Sequence, residues 1–262
     1  MTNLSITTAW NETAAFVARE GRLLFPVSLA LITLPTVLLQ AFTPAMIPGE
    51  EPKAGAWLLL LPLVLVSSVL GTLAISILAL RPGTVVGDAI KAAARRLPAV
   101  LGAALLIALG AVVVLLPLML LYDPKGGASG KPLIAALLLA ASALFLFVSV
   151  RLMLVNPAAA DARGGPLELI RRSWALTAGH FWKLLGFALL LVVLFLVVTL
   201  AVSSITGIVI VLAAGTPQPG GLPYLLILLV NAILNSIFVV YFTTMAARIY
   251  AQLSGQGTDI AT

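Results

Sequence analysis

The sequence predicts an all-α fold: a polytopic membrane helix bundle of six transmembrane helices with three cytoplasmic interfacial amphipathic helices, forming one integral membrane domain over residues 1–262. Three observations predict it. Six long apolar stretches divide the chain, each offering the roughly 20 apolar residues that a spanning helix needs. Of the 262 residues 61% are apolar and only 9% charged, far below the roughly one quarter charged in soluble domains, and the mean hydropathy is +1.17. Lys and Arg, finally, collect in alternate connectors, as they do in inner-membrane proteins.

Taken in order, the chain opens with Ile6, Trp10, Ala14 and Val17 at helical spacing, the first amphipathic segment. The first span is residues 23–42; it starts too late, and lacks the small-residue cleavage site, for a signal peptide. A Pro-rich connector with Glu50 and Glu51 leads to span two, residues 56–80. Residues 84–97 form the second amphipathic segment, with Val86, Ile90, Ala93 and Leu97 on one face and Lys91, Arg95 and Arg96 on another. Span three is residues 101–121, and span four, after a turn-like connector, is residues 132–155. The connector 156–183 contains the third amphipathic segment, residues 166–178, where Pro166 suits a helix start and Leu167, Ile170, Trp174 and Thr177 recur at helical spacing.

Span five, residues 184–212, sits in an apolar run longer than one span requires. A split near Ser203 to Gly207 would have no charge to anchor it and would put Arg248 outside, so one tilted or protruding helix is expected. A Pro/Gly run precedes span six, residues 224–250.

Arg19, Arg22, Arg81, Lys91, Arg95, Arg96, Arg151, Arg163, Arg171, Arg172, Lys183 and Arg248 fall on one side, and only Lys53, Lys125 and Lys131 on the other. The positive-inside rule therefore places both termini in the cytoplasm. A gapless alignment of residues 97–106 with 181–190, matching Leu101, Gly102, Ala104, Leu105 and Leu106 to Leu185, Gly186, Ala188, Leu189 and Leu190, suggests three units. Each would be an interfacial helix followed by two spans.

The residue inventory offers no catalytic, cofactor-binding or metal site. The chain has no Cys and a single His, His180, which excludes disulfides, thiolate ligands and a histidine metal cluster. Asp88, Asp161 and Glu168 lie in connectors, without the further ligands of a metal-dependent phosphodiesterase, and Asp161 and Glu168 are expected to pair with Arg163, Arg171 or Arg172. No carboxylate sits deep in a span, which disfavours a proton-coupled pump. Arg151 and Arg248, near the cytoplasmic ends, are expected to snorkel. His180 and Trp182 beside Lys183 read as an interfacial aromatic belt.

Two candidate sites remain. Lys91, Arg95, Arg96, Arg171, Arg172 and Lys183 form a basic collar suited to anionic lipid headgroups. Asn231 and Asn235, one turn apart on span six, read either as packing residues or as the lining of a polar cleft. Ser68, Thr72 and Ser76 on span two and Thr199, Ser203 and Gly207 on span five read as packing faces.

The segment Arg171-Arg-Ser-Trp-Ala-Leu-Thr-Ala-Gly-His-Phe-Trp-Lys-Leu-Leu-Gly, preceded by an apolar helix ending at residues 151–157, resembles the membrane domain of bacterial glycerophosphoryl diester phosphodiesterases and the related YciC-like six-span family. The resemblance extends over nearly the whole chain. It implies a six-helix module of the bacterial cytoplasmic membrane. With only a dozen residues after Tyr250, it implies no diesterase activity here. The expected function is thus a non-enzymatic membrane module with a structural or accessory role in the envelope or its lipids; the alternative is a small permease or lipid transporter with a cleft near Asn231 and Asn235. Expected partners are membrane lipids, anionic ones first, and a membrane or envelope protein, with no nucleic acid and no cofactor.

Overall fold

The structure is a computed structural model that describes residues 4–43, 55–121, 132–161, 164–215 and 221–255. Lys53, Lys125, Lys131, Arg163, Glu50 and Glu51 lie outside the described residues. Within them the chain is helical: α1 (Ile6–Ser28), a π-turn (Leu29–Thr33), α2 (Leu34–Phe42), a 3-10 turn (Ala56–Leu59) leading into α3 (Leu60–Leu80), α4 (Val86–Leu121), α5 (Pro132–Leu152), α6 (Val155–Asp161), α7 (Pro166–Thr177), α8 (Phe181–Ala214) and α9 (Leu222–Ser254). Six helices are long and apolar enough to cross a membrane, as expected, because in hydrocarbon only a backbone that bonds within itself is tolerated.

All three amphipathic segments are helical, but they join their spans differently. The first runs unbroken through α1, the π-turn and α2, a helix of 37 residues. The second is the start of α4, 36 residues with Pro98 and Pro117 inside it. At about 1.5 Å per residue these helices reach roughly 54 to 56 Å, well beyond a hydrocarbon core of about 30 Å. Their amphipathic starts are thus continuous with their spans. Only α7 is a separate helix, turned into α8 through Gly179, whose φ of +81° is a left-handed conformation that glycine adopts without steric cost.

Span five is a single helix, Phe181–Ala214, with no break at Ser203 to Gly207. The aligned repeat positions sit in unlike surroundings. A Cβ on Gly102 would meet Pro166 Cγ at 2.7 Å, whereas one on Gly186 would meet nothing within 4 Å. The element order allows the three-unit division, but the third unit alone carries a break between its amphipathic helix and its span.

The connector after span four holds an element that hydropathy does not announce. Span four ends at Leu152, and after a turn the chain forms α6, in which Val155, Pro157, Ala158, Ala159 and Ala160 are all buried. These small residues let α6 lie close against α3, α4, α7 and α9.

The packed core sits at one end, where α1 and α4 begin and α3, α5 and α9 finish. The last half of α3 is buried all round, Leu73 through Leu80, as expected of a helix surrounded by others. The same core contains Leu24 of α1, Leu154 before α6, Leu169 of α7, Leu184 of α8, and Met245, Ile249 and Tyr250 of α9, all fully or nearly fully buried. Hydroxyls join these helices too. Ser236 Oγ bonds Ser28 Oγ at 2.9 Å, and Ser173 Oγ donates to the Arg151 carbonyl at 2.7 Å. The chain start is tied in as well: Ser5 caps α1 by accepting from the Thr8 amide, while its own amide donates to Gln252 Oε1 at 3.3 Å.

Candidate functional site at the basic end of the bundle

The six collar residues divide into two groups. Lys91, Arg95, Arg171 and Lys183 are exposed, Lys91 with Asp88 at 3.9 Å one turn away. Arg96 and Arg172 are drawn inward. The Arg96 guanidinium donates to the Ala159 carbonyl in α6. Arg172 Nη2 donates to Asp161 Oδ2 at 3.0 Å, and that same oxygen accepts from the Tyr250 hydroxyl at 2.8 Å. The Arg172 guanidinium also lies 5.4 Å from the centre of the Tyr250 ring. Asp161 therefore pairs with one of its expected arginines and binds α6, α7 and α9 into one node. These charge-assisted bonds are the stronger kind, and here they join three elements.

Arg151 and Arg248 depart from the sequence expectation. Arg248 does not snorkel: it is 4% exposed, covered where α1 and α9 pack together, with its guanidinium 4.9 Å from the centre of the Phe16 ring. Arg151 is half-buried among Phe147, Trp174 and Phe181, at 5.2, 5.4 and 5.9 Å from their ring centres, and donates to the Trp174 carbonyl at 3.5 Å. Aromatic faces offer each cation a partner that does not require water. The belt reading of Trp182 and Lys183 agrees with their positions, since Trp182 is 80% exposed beside an exposed Lys183.

The two amides of α9 behave differently from each other. Asn231 Oδ1 accepts from Ser203 Oγ of α8 at 2.8 Å, and its Nδ2 donates back to the Ile227 carbonyl at 2.9 Å. Asn235 is half-buried one turn on. The bonds of Asn231 are those of a helix–helix contact. On span two, Thr72 and Ser76 donate to carbonyls three or four residues earlier in their own helix, and Asn156 Nδ2 reaches Thr72 Oγ1 from α6 at 3.5 Å.

The basic end also carries two clefts. One, of about 410 Å³, lies between α4, α5 and α7 and is apolar, with Gly110, Ala111 and Ala141 in its walls and Ile170 and Trp174 among its lining. The other, of about 350 Å³, lies between α1 and the α3–α4 turn and includes Phe16, Glu20 and Thr84. Among the described residues no group of three or more His, Asp or Glu could hold a metal ion.

Sequence reasoning missed the Tyr250 bond to Asp161, the Arg151 cage and the larger cleft. The cage left a partial signal, because Phe147 precedes Arg151 by one helical turn and the two are bound to be neighbours. The Tyr250 bond left none, since Tyr250 stands 89 residues from Asp161.

Residues 129–258 match the family described as the membrane domain of glycerophosphoryl diester phosphodiesterase. The match contains the whole Arg171 to Gly186 segment on which the resemblance rests, and it leaves α1 to α4 outside it. No significant match occurs among curated proteins or among solved structures.

Proposed function

We propose, on the premise that residues 129–258 carry the membrane domain of the glycerophosphoryl diester phosphodiesterase family, that this protein is a non-enzymatic module of the bacterial cytoplasmic membrane. Both termini are cytoplasmic in this reading. Its role is structural or accessory, exerted on the envelope or its lipids, and its partners are anionic lipids and a membrane or envelope protein. The observation that carries the reading is the division of the collar: Arg96 and Arg172 help to clamp the basic end, while Lys91, Arg95, Arg171 and Lys183 stay exposed around it. A cation near an anionic membrane surface is worth about 1 kcal/mol, screened over a Debye length. Four of them on a well-packed base make a surface that favours anionic headgroups. The bond between Asn231 and Ser203 supports packing over a transport cleft, and for this reason the permease reading is set aside.

The test replaces Lys91, Arg95, Arg171 and Lys183 together with Gln and measures retained lipid by native mass spectrometry. Retention of phosphatidylglycerol and cardiolipin relative to phosphatidylethanolamine should fall. Single Cys probes at Gly55 and Gly215 should react with an impermeant maleimide in spheroplasts, whereas probes at Lys91, Glu168 and Gly255 should not. Unchanged lipid preference in a correctly oriented variant would reduce the collar to a topology signal.

A further inference from the structure

The larger cleft has a shape and a position that the collar does not explain. Much of the outer surface of the bundle is apolar. Here α4 and α5 leave a gap, and the small residues Gly110, Ala111 and Ala141 keep it open. A Cβ at Gly110 would meet nothing within 4 Å. The volume of about 410 Å³ falls within the roughly 300–1,000 Å³ of small-molecule sites. Along α4 the lining runs from Leu106 to Leu115, ten residues separated by nine rises of about 1.5 Å, or about 14 Å. That length is close to one leaflet, half of a hydrocarbon core of about 30 Å.

The floor of the cleft is the amphipathic helix α7, which contributes Leu167, Ile170 and Trp174. At about 100° per residue these three share a stripe, with buried Leu169, Ser173 and Thr177 on one side of it and Arg171 about 40° from Leu167 on the other. Arg171 is exposed and makes no ion pair among the described residues. An apolar slot one leaflet deep, ending at an interfacial helix with a guanidinium on its rim, matches the two parts of a phospholipid.

We propose that this cleft holds one acyl chain of a glycerophospholipid from the leaflet at the basic end, with the lipid phosphate on Arg171. The proposal rests on the membrane-module reading but not on a preference for anionic lipid, because every glycerophospholipid carries the phosphate. Full-length protein is reconstituted in phosphatidylethanolamine vesicles containing a small fraction of the same lipid with a diazirine in mid-chain, and the cross-links are mapped by mass spectrometry. Cross-links should concentrate on residues 106–115 and 141–148 relative to residues 189–200 of α8, which are also largely lipid-facing. Gly110→Leu and Gly110→Phe, which have room to fold, should lower these cross-links severalfold without changing the yield of folded protein. Arg171→Gln should lower lipid retention by roughly fivefold, the scale of one charged contact.

Even labelling of α4, α5 and α8, or labelling unaffected by Gly110→Phe, would overturn the proposal and leave only bulk lipid at this surface. The quadruple Gln variant removes Arg171 and so touches both sites, whereas Gly110→Leu and Gly110→Phe keep all four collar cations and report on the cleft alone. Failure of the collar and failure of the cleft are therefore read in separate experiments.

Discussion

The two ends of the bundle are made of similar apolar helices and are held together in different ways. At the basic end, Leu73 through Leu80 of α3 are enclosed, and the Asp161 node joins α6, α7 and α9. Toward the other end, Leu59 is 78% exposed, Val113 72%, Leu139 74% and Leu212 82%. In water such exposure would be a liability. In a bilayer it costs little, because lipid tails are as apolar as leucine and helices gain from contact only through close packing and polar bonds. The contrast teaches that apolar composition inserts this chain, while packing density and polar bonds at one end give it a fixed tertiary structure.

The strongest way to break the comparison is to make the same substitution at both ends. Leu73→Ala should cost about 2 to 3 kcal/mol, near the low end for buried leucines because lipid removes much of the transfer penalty and leaves the cavity term. Leu200→Ala, at a residue 59% exposed, should change stability by less than about 0.5 kcal/mol. Reversible unfolding in bicelles, followed by steric trapping, measures both, and equal losses would end the distinction.

Glycine substitutions sharpen it from the opposite direction. A Cβ on Gly71 would lie 2.6 Å from Ile32 Cγ1, so Gly71→Ala should cost about 1 to 2 kcal/mol by overpacking. Gly207→Ala, where a Cβ meets nothing within 4 Å, should stabilise α8 by up to about 0.5–1 kcal/mol through helix propensity. Opposite signs in the same unfolding assay are the expected outcome.

Polar links give smaller effects. Tyr250→Phe removes one donor to Asp161 and leaves the Arg172 bond, for a loss of about 1 kcal/mol. Asn231→Leu breaks the bond to Ser203, for about 0.6 kcal/mol, the average of intramembrane hydrogen bonds in double-mutant cycles. A double-mutant cycle with Ser203→Ala isolates that pair. A coupling of several kcal/mol there would shift the centre of stability away from the basic end.

The six spans were legible because hydrocarbon imposes an uninterrupted run of apolar residues on any helix that crosses it, and the single fifth span followed from the want of any anchoring charge near Ser203. The collar was legible as charge but not as contacts. Nothing local distinguishes Arg95, which stays exposed, from Arg96, which reaches the Ala159 carbonyl. That carbonyl belongs to α6, whose Val-Asn-Pro-Ala-Ala-Ala-Asp sequence reads as a linker but forms a buried helix packed on α3, α4, α7 and α9. Arg248 was misjudged for a related reason: snorkelling assumes an open path to water, and the packing of α1 on α9 closes it. The cleft between α4 and α5 depends on how two helices diverge, which hydropathy does not encode.

The π-turn at Leu29–Thr33 lies three residues beyond Pro26 in the first span. Such a turn takes up about one extra residue, and each residue of a helix is worth about 100° of rotation. The first span is therefore two helical phases on one axis: the part before the turn is set by its fit against α9 and α3, while Leu34–Phe42 beyond it has no buried residue. Loss of a single residue between positions 29 and 33 would turn this stretch into ordinary α-helix, so the outer and the inner segments would both keep their facing. The first span thus contains a point where its residue count can change by one without disturbing the clamped end.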